Sequence, residues 1–114
     1  MEERRQYVRL NAKLDVSYAV LPQTSDVESG TKDVSAGGIR FQVKESLVPG
    51  TRARFEILLP GRQSIPFIGE IVWSDAFKAS TTLSSSASYE VGVRIIEISG
   101  ADREAMKRYV ALNL

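Results

Sequence analysis

The stretch over residues 38–61 reads GIRFQVKESLVPGTRARFEILLPG, and its period decides the fold. Ile39, Phe41 and Val43 alternate with Arg40, Gln42 and Lys44; further on, Ala53, Phe55, Ile57 and Leu59 alternate with Arg52, Arg54 and Glu56. A period of two sends successive side chains to opposite faces, so each run reads as a strand buried on one side and wet on the other. Pro49-Gly50 and Pro60-Gly61 mark turns at the ends of the second run.

The same rhythm continues in both directions. Ala12, Leu14, Val16, Tyr18 and Val20 alternate with Lys13, Asp15 and Ser17, which predicts a first strand, followed by a polar loop over Pro22–Gly30. Ile65 to Trp73 predicts a long strand buried on both faces near its end. The serine-rich stretch from Asp75 to Ser88 reads as an exposed hairpin loop or a solvated linker. Tyr89 to Ile98 predicts the last strand, with Val91, Val93 and Ile95 on one face. Ser99, three residues before Asp102, opens a short helix whose Met106, Tyr109 and Val110 recur at helical spacing. Five or six short strands and a terminal helix indicate an all-β fold, an antiparallel barrel with the helix plugging one end. Residues 1–11 form a basic arm, and residues 12–114 form one barrel domain with its helix.

Composition narrows the function. Lys and Arg number 15 against 14 Asp and Glu, a net charge of +1, without the basic excess of a protein that coats duplex nucleic acid. With four Phe, four Tyr and one Trp, several of them needed in the core, a barrel binding single-stranded nucleic acid is also disfavoured. The absence of His and Cys removes imidazole bases, thiolate nucleophiles, disulfides and the common zinc and copper ligands. No Gly-x-Ser-x-Gly or P-loop motif is present, so no enzyme, metal or cofactor is expected. The first ten residues lack the apolar core of a signal peptide, and no apolar run approaches a membrane span. A cytoplasmic protein without membrane insertion is expected.

Two clusters carry recognition chemistry. Arg4-Arg5-Gln6-Tyr7-Val8-Arg9 holds an Arg-x-x-x-Arg spacing in Arg5 and Arg9. Guanidinium forks onto phosphate oxygens or the guanine edge and also stacks on bases. By itself the cluster equally describes a solvated basic end. Asp33-Val34-Ser35-Ala36-Gly37-Gly38 puts Asp33 and Ser35 on one face of an extended segment. A carboxylate can accept from guanine N–H groups, and paired glycines allow close approach of a flat ligand. The same residues also make an ordinary turn. Trp73 reads as core, and Arg40 as a solvated residue or as part of the same surface.

In order along the chain, these clusters and the segments Gly38-Ile39-Arg40-Phe41, Pro49-Gly50-Thr51, Ile71-Val72-Trp73 and Tyr89-Glu90-Val91-Gly92-Val93-Arg94-Ile95 resemble the PilZ family. The resemblance implies a six-stranded antiparallel PilZ-type β-barrel with a C-terminal helix that binds cyclic di-GMP. Arg4, Arg5, Arg9, Asp33, Ser35, Gly38 and Trp73 are the implied ligand residues, with Gly37 and Arg40 as secondary candidates. Arg4, just before the Arg-x-x-x-Arg spacing, implies two cyclic di-GMP molecules per chain. The arm up to Arg9 is expected to be free until ligand orders it, and a separate protein effector is expected as partner. The alternative within the family is a protein-interaction adaptor whose nucleotide binding is weak or incidental.

Overall fold

The computed structural model describes residues 7–21, 27–45, 47–77 and 88–114. Its strands are β1 (Leu10–Asn11), β2 (Asp15–Val20), β3 (Val27–Ser35), β4 (Gly38–Val43), β5 (Arg52–Leu59), β6 (Gln63–Phe77) and β7 (Ser88–Glu97); helix α1 (Gly100–Leu112) follows. Every pairing is antiparallel. The sheet runs β1-β3-β2-β5-β6-β7-β4, and a further β3–β4 pairing closes it. The result is a six-stranded barrel with β1 as an extra strand, and closure removes the unpaired edges that an open sheet would expose.

The strands predicted around residues 39–43 and 53–59 form where the alternation put them. Their apolar faces supply Phe41 and Phe55, which meet edge to face at 5.7 Å; Phe55 also stacks on Phe67 at 5.1 Å, and Tyr18 meets Phe41 at 5.4 Å. These rings are buried, each contributing about 1.5–3 kcal/mol through area removed from water. Burial, and then the hydrogen bond to Glu45 and its charge, push the Tyr18 phenol well above its ordinary pKa. Met106 and Val110 of α1 join the same core, so the helix does plug the barrel. Ser99 caps it, its Oγ accepting from the Asp102 amide at 3.0 Å.

Four boundaries differ from the sequence reading. The loop assigned to Pro22–Gly30 gives way to strand at Val27, because β3 takes its order from pairing with β2 and β4 and carries little apolar signal of its own. The first strand is interrupted: β1 and β2 both pair with β3, and the break at Ala12–Leu14 is bridged by the buried Thr31. Its Oγ1 accepts from the Leu14 amide at 2.8 Å and donates to the Ala12 carbonyl at 2.7 Å. The long strand is not buried on both faces near its end, since Val72 is 44% exposed and Trp73 is half-buried. β6 also continues to Phe77, opposite Ser88, so the expected loop begins later; residues 78–87 lie outside the described part.

The described end of the arm, residues 7–11, contacts the barrel. Leu10 pairs with Val34 and Asn11 with Asp33, while Tyr7 and Leu10 pack on the core. The end of the arm is thus part of the sheet.

Thr31→Val keeps the shape of the side chain but strands a buried amide and a carbonyl. We expect a loss of about 2 kcal/mol, read as a lower denaturant midpoint at unchanged m-value.

Candidate functional site

Two local irregularities aim the polar residues. In β3 the register against β4 shifts between Thr31 and Asp33: Thr31 lies opposite the core residue Phe41, whereas Asp33 lies opposite Arg40. The extra residue, Lys32, is a bulge that moves Asp33 to the outer face beside Arg40. In β6 the register against β7 shifts between Ile71 and Trp73, with Ile71 opposite Val93 and Trp73 opposite Gly92. This second bulge leaves Val72 exposed and lays the Trp73 indole over Gly92, where a Cβ would overlap the ring. Only glycine leaves room there. Gly38 is equally constrained, because a Cβ would run into the carbonyl oxygen of Val93 on β7.

β1 then brings the arm across. With Asn11 opposite Asp33, Arg9 shares the outer face of β3, and its Nη1 lies 2.5 Å from Asp33 Oδ1. Arg40 Nη2 holds the other oxygen, Oδ2, at 2.8 Å. Asp33, only 4% exposed, therefore sits between two guanidiniums. The array continues to Glu90, which lies 3.8 Å from Arg40 and 2.9 Å from Lys32. Among the described residues, Arg9 and Arg40 take two of the four or so lone-pair positions of the Asp33 carboxylate. Arg40 Nε is buried and has no hydrogen-bond partner among the described residues.

Ser35 is buried at the β3–β4 turn. Its Oγ accepts from the amides of Gly37 and Gly38, each at 3.1 Å, and approaches the Gly38 carbonyl at 3.3 Å. The turn reading of this segment holds: the hydroxyl ties the turn that stands beside the arm.

Two concavities adjoin along this surface, sharing Arg9, Val72 and Val93. The smaller, of about 290 Å³, adds Asp33, Arg40, Trp73 and Gly92. The larger, of about 530 Å³, adds Ser35 and Gly37. Arg9, Asp33, Ser35, Gly37, Arg40 and Trp73 are therefore gathered into one region, while Gly38 adjoins it through Ser35 and lines neither concavity; Arg4 and Arg5 lie outside the described residues. Sequence reasoning missed Tyr7, Val72, Arg94 and Arg103 on the larger concavity. Arg94 was legible in principle, as the wet position between Val93 and Ile95, whereas Arg103 comes from a helix read only as a plug. Among the described residues no group of three or more carboxylates could hold a metal, and no helix is long and apolar enough to cross a membrane.

A family model of the PilZ domain matches residues 3–112. The chain belongs to the PilZ family. No curated protein matches this PilZ chain. Among solved structures, the inhibitor of motility MotI/DgrA of Bacillus subtilis superposes with a TM-score of 0.77 at 25% identity, covering 97% of this chain and 51% of that one. The PilZ domain of YcgR from Escherichia coli, solved with cyclic di-GMP, superposes at 0.76 with 17% identity, covering 97% and 92%. The cyclic di-GMP complex of MrkH from K. pneumonia gives 0.75 at 14% identity, covering 96% and 51%. This chain thus spans about half the length of MotI and MrkH. The likeness to YcgR and MrkH is one of fold.

The PilZ chain has one tryptophan, which allows a direct check of the Trp73–Gly92 contact. Gly92→Ala should push the indole away from β7 and red-shift its fluorescence. Unchanged emission would mean that the ring does not rest on Gly92.

Proposed function

We propose that this chain is a receptor for cyclic di-GMP, with the ligand lying across the two concavities. The observation that carries the reading is the β1–β3 register, which brings Arg9 onto Asp33 and so unites two sequence-distant motifs beside Trp73. Arg9 offers a guanidinium to phosphate or to the guanine O6/N7 edge, and Asp33 offers its remaining lone pairs to guanine N–H donors. Arg40 holds Asp33 in place and, among the described residues, has an unused Nε–H for a ligand acceptor. The Trp73 face and exposed Val72 provide an apolar wall for a base, while Ser35, Gly37 and Gly38 keep the turn low enough for its approach. The solved complexes of YcgR and MrkH with cyclic di-GMP, which share this fold, support the choice of ligand. Arg4 and Arg5 complete the cationic arm and contact the phosphates. Binding changes the conformation of the arm, and the new surface acts on a separate protein effector in the cytoplasm. No catalytic step is part of this role.

One observation favours a second reading. Asp33 is already neutralised by Arg9 and Arg40, and Ser35 is engaged in its turn, which is what an adaptor with weak or incidental nucleotide binding would also have. Titration separates the two. Arg9→Ala and Asp33→Ala should each weaken cyclic di-GMP binding ten- to hundredfold, the ~1.5–3 kcal/mol of a charge-assisted contact, with circular dichroism unchanged. Calorimetric affinities within twofold of wild type would defeat this site.

Stoichiometry is the finer question. A self-intercalated pair of cyclic di-GMP molecules carries about twice the phosphate charge of one and needs a further cation beside Arg5 and Arg9, a role assigned to Arg4. Wild type should bind two molecules per chain and Arg4→Leu one. A wild-type ratio near one, or an unchanged ratio in the variant, would assign Arg4 no such part.

A further inference from the structure

The larger concavity is lined by three guanidiniums, those of Arg9, Arg94 and Arg103, and by no carboxylate among its described residues. Two of the three charges are met nearby: Arg9 pairs with Asp33 at 2.5 Å and Arg94 with Glu70 at 2.7 Å. Arg103 differs. Its Nη1 donates to the Ala36 carbonyl at 2.9 Å, and its Cζ lies 5.4 Å from the centre of the Tyr7 ring. Neither contact neutralises the cation, and no carboxylate pairs with it among the described residues.

Its position in the helix is electrostatically unfavourable too. Arg103 lies in the first turn of α1, its amide donating to the Ser99 carbonyl at 3.0 Å, where the helix dipole is positive and favours acidic residues. The last turn, where a cation would stabilise the helix, has no basic residue. A half-buried guanidinium at the wrong end of a helix, over an apolar floor of Val72, Val93 and Ile95 and without a carboxylate partner among the described residues, leaves a positive charge that an entering anion would offset.

We infer that Arg103 is a further ligand-binding residue, taking a phosphate oxygen of the bound cyclic dinucleotide in the concavity beside Ser35 and Gly37. The inference rests on the receptor reading above. One of its five N–H donors holds the β3–β4 turn, and the others are available to a phosphate. The same side chain touches the arm through Tyr7, the turn through Ala36 and the helix that carries it. Ligand at Arg103 therefore acts on three elements together.

Arg103→Gln retains a donor for Ala36 and removes the charge; Arg103→Lys retains the charge and loses the fork. Calorimetry with cyclic di-GMP over a range of salt concentrations, with thermal melting in parallel, tests the assignment. Expected are tight binding by wild type, a roughly tenfold weaker and less salt-sensitive affinity for Arg103→Gln at unchanged melting temperature, and partial recovery in Arg103→Lys. Binding by wild type together with affinity within twofold in Arg103→Gln would overturn this inference alone. A loss that tracks a lowered melting temperature, or that lysine does not relieve, would make Arg103 a support for the arm and overturn it as well. Absence of wild-type binding would remove the receptor reading and this inference with it.

Discussion

The carboxylate of Asp33 is the point on which the site depends. It is almost fully buried, and an isolated buried charge would cost several kcal/mol, so it must be paired wherever the chain puts it. Arg9 meets one oxygen and Arg40 the other. Arg9 comes from the chain before β1 and Arg40 from β4, so one carboxylate ties the arm to the closure of the barrel. In the proposed receptor, the pairing serves packing and recognition together. It fixes two guanidiniums on one surface and leaves lone pairs on the acid that joins them.

That arrangement requires backbone irregularity. A regular β3 would not carry Thr31 opposite Phe41 and Asp33 opposite Arg40, since residues two apart face the same way while residues one apart do not. The bulge at Lys32 changes the phase. Thr31 remains inside, where it bridges β1 and β2, and Asp33 turns outward to the arm. The bulge at Val72 performs the corresponding change in β6, and Gly92 gives the Trp73 ring its seat. Bulges recur beside functional sites because they re-aim a side chain without dissolving the sheet. Here two of them frame one surface.

The helix has a comparable double role. Its apolar stripe of Ala105, Met106 and Val110 completes the core, a packing function that demands only volume and hydrophobicity. Arg103, on a different face of the same helix, reaches the turn and the arm. A helix anchored by its core residues places that guanidinium beside the turn and the arm. The element that closes the hydrophobic interior also contributes to the cationic exterior.

Much of this was determined by the sequence itself. Alternation at Ile39–Val43 and Ala53–Leu59, broken by Pro-Gly turns, forces one-sided strands whose apolar faces must meet, and the spacing of Met106 and Val110 forces a helix onto them. The chemistry proposed for recognition was legible in residue type, since guanidinium, carboxylate and glycine have few substitutes. Tertiary structure alone decided three things. It made a strand of Val27–Ser35, which has too few apolar residues to signal one and is ordered by its neighbours. It chose the faces of Asp33 and Val72 through bulges, which alter phase without any marker in composition. And it brought Arg103, 67 residues from Ala36, to the same turn, because side-chain proximity across a closed barrel depends on register and not on sequence distance.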